Sequence, residues 1–289
     1  MGEGETNTVE KPGIPKWAMQ PFGDFLDFVD RLGEVVEISA IGISHLQSMP
    51  RMLELAGQIV TIVNRGDKPD VQGRLERSRK LAQLAEREAA TDFPLIHSQA
   101  TVSLWGALED FVRTFVAKWL QNVPSAMLNS PLISVKVAIG EYERLSSEEK
   151  GLFLAEALER TTNATLKQGV TRFEAVLEPL GFSGSVPDGL RRDIFELGQV
   201  RNAIAHRRGI ADRRLLDACP WITTTLGSPI SISRHDLRRY HEASVVYAME
   251  LMCRVGEHFG VPNITRYRAS ELLRDKADAS VAISPKATL

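Results

Sequence analysis

The chain has 289 residues, 43% of them hydrophobic and 25% charged, with a formal net charge of −2. That length can bury one large core or two modest ones, and the balance is ordinary for a soluble globular protein. So small a net charge gives no global pull toward nucleic acid or an anionic membrane, so any basic footprint must be local.

Two cysteines, Cys219 and Cys253, make no disulfide framework and predict buried thiols in a reducing, cytoplasmic setting. No apolar run approaches the roughly 18 residues of a spanning helix, and the polar start lacks the basic and apolar segments of a secretion signal. The first six residues fit an N-myristoylation pattern, but nearby acids and the missing polybasic patch read against an anchor.

Residues 1–20 are polar and carry Pro and Gly, which predicts a disordered tail. Residues 21–91 read as an N-terminal helical extension. It begins with irregular helical spacing from Phe25 to Val36. A second run from Met52 to Val63 closes at Asn64, Arg65 and Gly66, and residues 67–72 read as a loop. Residues 73–91 form a charged helix whose mixed signs predict a solvated face. Residues 98–121 give the clearest amphipathic helix: Leu104, Trp105, Leu108, Phe111, Val112, Phe115, Val116 and Trp119 fall within about 140° of arc. Glu109 sits at the edge of that arc.

Residues 124–146 predict a connector with short helical turns around Pro124 and Pro131. Ser146 and Ser147 cap a helix reaching about residue 163, with Glu148 and Glu149 in its first turn. Another helix spans 171–180 and ends at Gly181. A capping-box-like start from Ser185 to Asp188 opens the next helix, which ends at Gly209. Ile222–Thr225 and Ile230–Ile232 suggest a short hairpin. Ser233 and Asp236 make a second capping box for a last helix that Gly260 and Pro262 terminate. The strand signal is slight, so the fold is all-α: an up-and-down helical bundle over 92–260, the N-terminal extension packed on it, and a loose tail over 261–289.

The helix ending at Gly209 holds the one inconsistency. Leu190, Ile194, Leu197 and Ile204 form a narrow apolar stripe, and Arg201 falls in its middle. Asn202 and His206 are spaced i,i+4 and share another face. A core-facing arginine without a carboxylate costs on the order of 3–5 kcal/mol, so an acid is required nearby, and Glu109 is the best-placed candidate. Arg191, Arg192, Arg207, Arg208, Arg213 and Arg214 surround the motif, with Arg234, Arg238 and Arg239 at the start of the last helix. Asp188, Asp193, Glu196 and Asp212 partly offset this collar, a local footprint suited to phosphate.

Arg201-Asn202-x-x-x-His206, at a helix end and followed by Gly209 and Asp212, resembles the R-x(4–6)-H motif of HEPN domains, helical modules of RNA-cleaving toxins and phage-defence proteins. The likeness is closest to the RiboL-PSP-type branch and covers about residues 92–260. The block from Ser103 to Phe111 resembles the first core helix of that bundle, and the long helix after the motif loop is similar too. The resemblance implies a metal-independent endoribonuclease with catalytic Arg201, Asn202 and His206, and Glu109 in support. Its usual two-fold pairing implies a homodimer, and its toxin and defence settings imply an antitoxin or regulatory partner.

The residues suit that chemistry. Attack of a 2′-OH on the adjacent phosphate needs a proton acceptor or donor, which an imidazole provides. It also needs positive charge on the phosphorane, which guanidiniums provide. Arg207, Arg208, Arg191, Arg192 and Arg234 are the candidate RNA contacts. One tension remains: Arg201 and His206 lie about 140° apart around the helix and about 7.5 Å apart along it. The arginine must bend to join the histidine. Otherwise Arg201 and His206 serve packing, in a non-catalytic HEPN-like module that binds a partner protein or nucleotide. No Gly-rich phosphate loop, G-x-S-x-G elbow or zinc spacing occurs, and His235 and His241 lack the companions of a di-metal site, so no cofactor or metal is expected.

Overall fold

A computed structural model describes residues 13–63, 72–128, 130–133 and 135–261. The expectations for residues 1–12, for 64–71 and for the chain beyond 261 fall outside the described residues. The described chain folds into α1 (Lys16–Leu46), α2 (Met49–Val63), α3 (Gln72–Ala90), α4 (Pro94–Asn122), α5 (Ser130–Ile133) and α6 (Ile139–Tyr142). It continues through α7 (Ser147–Thr161), α8 (Val170–Leu177), α9 (Asp188–Arg207), α10 (Arg213–Ala218) and α11 (Arg234–His258). No strand occurs among the described residues, so the protein is an all-α helical bundle. No described helix is long and apolar enough to cross a membrane.

Two expectations give way. The first helix begins at Lys16, inside the stretch read as a tail, and carries Pro21 in its second turn. The hairpin of Ile222–Thr225 with Ile230–Ile232 does not form. Its place is taken by an isolated antiparallel bridge between Ile210 and Pro229. Ala211 donates its backbone N–H to the Ser228 carbonyl at 2.9 Å, and Ile230 donates to the Gly209 carbonyl at 2.7 Å. The chain after α9 therefore pairs with the segment before α11, and the β-branched tract between them makes local turn bonds instead, such as Ile222 N–H to the Cys219 carbonyl at 3.0 Å.

The expected caps of two helices form. At α7, Glu149 N–H donates to Ser146 Oγ at 3.3 Å and Ser146 N–H donates to Glu149 Oε2 at 2.7 Å. The Ser146 backbone N–H, and after it the Ser146 hydroxyl, keep the Glu149 carboxyl below its ordinary range. At α11, Asp236 N–H donates to Ser233 Oγ and Ser233 N–H donates to Asp236 Oδ2, both at 3.2 Å.

The chain divides into two compact units, with boundaries inside α1, α4, α9 and α11. Of the described chain, unit one comprises residues 13–26, Leu108–Ile194 and residues 242–261. Its core is aromatic: Phe115, Trp119, Phe173, Phe182 and Tyr247 are buried, and the Trp119 and Phe182 rings meet edge-on at 4.4 Å. Glu174 ties this core together, accepting from Tyr247 Oη at 2.8 Å, Arg254 Nη1 at 2.9 Å and Gly184 N–H at 2.7 Å.

Unit two comprises Asp27–Ala107 and Phe195–His241. Within it α2 packs on α3, with Arg79 and Glu54 paired at 2.7 Å, yet no residue of α2 is buried. Leu104 and Trp105 of α4 are buried, as are Leu197 and Val200 of α9, Leu215 of α10 and Tyr240 of α11. Trp105 and α9 approach closely because position 198 is glycine: a Cβ there would stand 2.9 Å from the indole ring.

Candidate functional site at the end of helix α9

From Glu196 to Val200 every residue of α9 is buried, so the helix is enclosed on all sides there rather than along a stripe. It emerges over its last two turns. Arg201 and Asn202 are half-buried, Ala203 is buried, and residues 205 to 208 are exposed. Arg201 thus occupies the point of emergence, not the core centre that the narrow stripe implied.

The helix closes by local backbone chemistry. Arg208 and Gly209 take left-handed φ values of 57° and 72°, and Gly209 donates its N–H back to the Ala203 carbonyl at 3.1 Å. The reversal brings Asp212 beside the helix end, where it does two jobs. Its Oδ1 accepts the Leu215 N–H at 2.9 Å as the N-cap of α10, and its Oδ2 lies 3.4 Å from Arg207 Nε.

Between α9 and this loop lies a cavity of about 430 Å³. Gln199, Asn202, Ala203 and His206 of α9 line it at spacings that place them on one helix face. The loop and α10 add Asp212, Arg214 and Leu215, and Arg207 completes the wall. Two guanidiniums against one carboxylate leave the lining with one surplus positive charge, His206 being counted neutral. The imidazole stands exposed at its mouth.

Of the residues the sequence singled out, the cavity brings together Asn202, His206 and Arg207. Arg201 does not line it but reaches it indirectly, donating from Nη1 to Asn202 Oδ1 at 3.0 Å. With that oxygen engaged, the amide's NH₂ is the group Asn202 can present. Arg208 is exposed past the helix end, and Arg191 and Arg192 are exposed at the start of α9 and contribute nothing to the lining. Arg234 lines a different cavity and stands beside Asp92, 3.8 Å from Nε to Oδ1. Glu109 is held by the Arg172 guanidinium in a mostly buried pair.

Sequence reasoning passed over three participants. Gln199 precedes His206 by seven residues, so helical spacing alone could have found it. Arg214 was lost in the general basic collar, and only the turn at Gly209 singles it out. Glu196, read as one more surface acid, is the buried anchor of the region. It accepts from Tyr240 Oη at 2.7 Å and from Trp221 Nε1, and pairs with Arg239. It thereby ties the loop and the start of α11 to α9. Burial and the nearby carboxylate push the Tyr240 phenol far above its ordinary range.

The arrangement can hold an anion on Arg207 and Arg214, orient it through the Asn202 amide, and move a proton at His206. The chain matches no family model, no curated protein and no solved structure.

Proposed function

We propose that this cavity binds the RNA backbone and that the protein is a HEPN-like endoribonuclease. The observation that carries the reading is the placement of His206, Asn202, Arg207 and Arg214 around one polar cavity of about 430 Å³, a size that suits a nucleotide. The ribose 2′-oxygen attacks phosphorus and the bond to the 5′-oxygen breaks, leaving a 2′,3′-cyclic phosphate and a 5′-hydroxyl. His206 takes the 2′ proton or supplies the one the leaving oxygen needs. Arg207 and Arg214 neutralise the phosphorane, and Arg201 acts at one remove by fixing the Asn202 amide. Two proton transfers are required and one chain supplies one imidazole, so a homodimer that brings two such sites together completes the machinery. No metal is assigned a step. The toxin or antiviral-defence setting, and with it an antitoxin or regulatory partner, follows from the HEPN resemblance.

The second reading is a non-catalytic HEPN-like module that binds a partner protein or nucleotide. The observation favouring it is that Arg201 spends an N–H on Asn202 and does not line the cavity. Generic RNA incubated with the protein in EDTA separates the two. Cyclic-phosphate ends produced by wild type, and lost in Arg201→Ala at unchanged melting temperature, support cleavage. An inert wild type, with a lower melting temperature in Arg201→Ala, supports the binding module.

A further inference from the structure

We propose that unit two carries a second site, independent of the nuclease reading: a pocket lined by α1, α4 and α11 that takes a medium-chain aliphatic carboxylate bearing a hydroxyl near its charged end. The cavity measures about 430 Å³, within the usual range for small-ligand sites. Its walls are apolar, formed by Leu32 and Val36 of α1, Leu104 of α4 and Leu237 of α11. Small residues keep it open: Gly33, Ala40 and Ala100 face it, and a Cβ on Gly33 would meet nothing within 4 Å. An alkyl chain fits such walls.

The polar groups are few. His97 lines the cavity at 1% exposure, its Nδ1 standing 2.9 Å from the Ile232 carbonyl oxygen. A carbonyl only accepts, so Nδ1 carries a proton toward Ile232, and Nε2 is the ring nitrogen left to meet a ligand hydroxyl, a group that can both donate and accept. Ile232 lies two residues before Arg234, which puts this imidazole at the end of α11 that carries Arg234 and Arg238. Those guanidiniums outnumber Glu37, the one acid of the lining. Asp92 stands 3.8 Å from Arg234, but exposures of 73% and 44% leave that pair screened by solvent. His241 closes the lining. A carboxylate near the guanidiniums, a hydroxyl on His97 Nε2 and an alkyl chain along the leucines match this arrangement.

Isothermal titration of the full chain with submicellar 3-hydroxydecanoate tests this. The expected result is one site per chain, with decanoate weaker by about tenfold and decanol weaker still. The Arg234→Ala/Arg238→Ala double variant loses about tenfold or more in affinity, and Gly33→Leu, which fills the opening, abolishes binding. Circular dichroism confirms that both variants remain folded. Absence of binding, equal affinity for decanol, equal affinity for decanoate, or binding unchanged in both variants overturns the proposal.

Discussion

In the proposed reaction Asn202 and His206 divide the labour at the cavity. The imidazole is exposed and able to exchange protons, whereas the amide is fixed by Arg201. Replacing Asn202 with Asp turns the presented donor into an acceptor and gives Arg201 a carboxylate partner. Asn202→Asp therefore keeps its melting temperature while cleavage of an RNA oligonucleotide falls about 10- to 100-fold, the worth of one lost charge-assisted hydrogen bond. A second prediction concerns Gly209, whose φ of 72° lies in the left-handed region that L side chains rarely adopt. Gly209→Ala costs about 1–2 kcal/mol in denaturant unfolding. Arg208 already carries that strain at φ 57°, so Arg208→Gly is neutral or mildly stabilising in the same measurement.

At the scale of elements, α9 is positioned by one close approach and one buried anchor. Gly198→Ala sets a methyl 2.9 Å from the Trp105 ring and destabilises by about 1–3 kcal/mol. Glu196→Gln removes the charge that Arg239 pairs with at a carboxylate only 5% exposed, costing about 3 kcal/mol by thermal melting. The sequence made the caps legible because each depends on three or four adjacent residues: Ser146 with Glu149, Ser233 with Asp236, and the glycine at 209. It made Asn202 and His206 legible through i,i+4 spacing. It could not reveal Glu196 as an anchor, because Trp221 and Tyr240 lie 25 and 44 residues away and only folding brings them together. The hairpin misled for the same reason: β-branched residues around 222–225 have local strand propensity, but Gly209–Ala211 captured the available partner.

For the whole molecule, the net charge of −2 and the surplus positive charge at the cavity describe different things, the first an average and the second a local field. Stability against alkali is likewise set by particular groups. Tyr240 and Tyr247 are pushed well above their ordinary range, chiefly by burial and then by Glu196 and Glu174. Raised folded-state values mean that their contribution is complete below about pH 10, the ordinary tyrosine value, and is lost as pH rises beyond it. Absorbance at 295 nm should show both phenols ionising only together with loss of helicity, and Tyr240→Phe/Tyr247→Phe should flatten that alkaline decline.

Cleavage itself is the most direct measurement: an end-labelled RNA oligonucleotide in EDTA, and its all-2′-deoxy counterpart, incubated with wild type and with His206→Ala. The account predicts cyclic-phosphate ends from RNA alone and a loss of about 10²–10⁴ in rate for His206→Ala at unchanged melting temperature. An inert wild type, cutting of the deoxy strand, or full activity without the imidazole would contradict it.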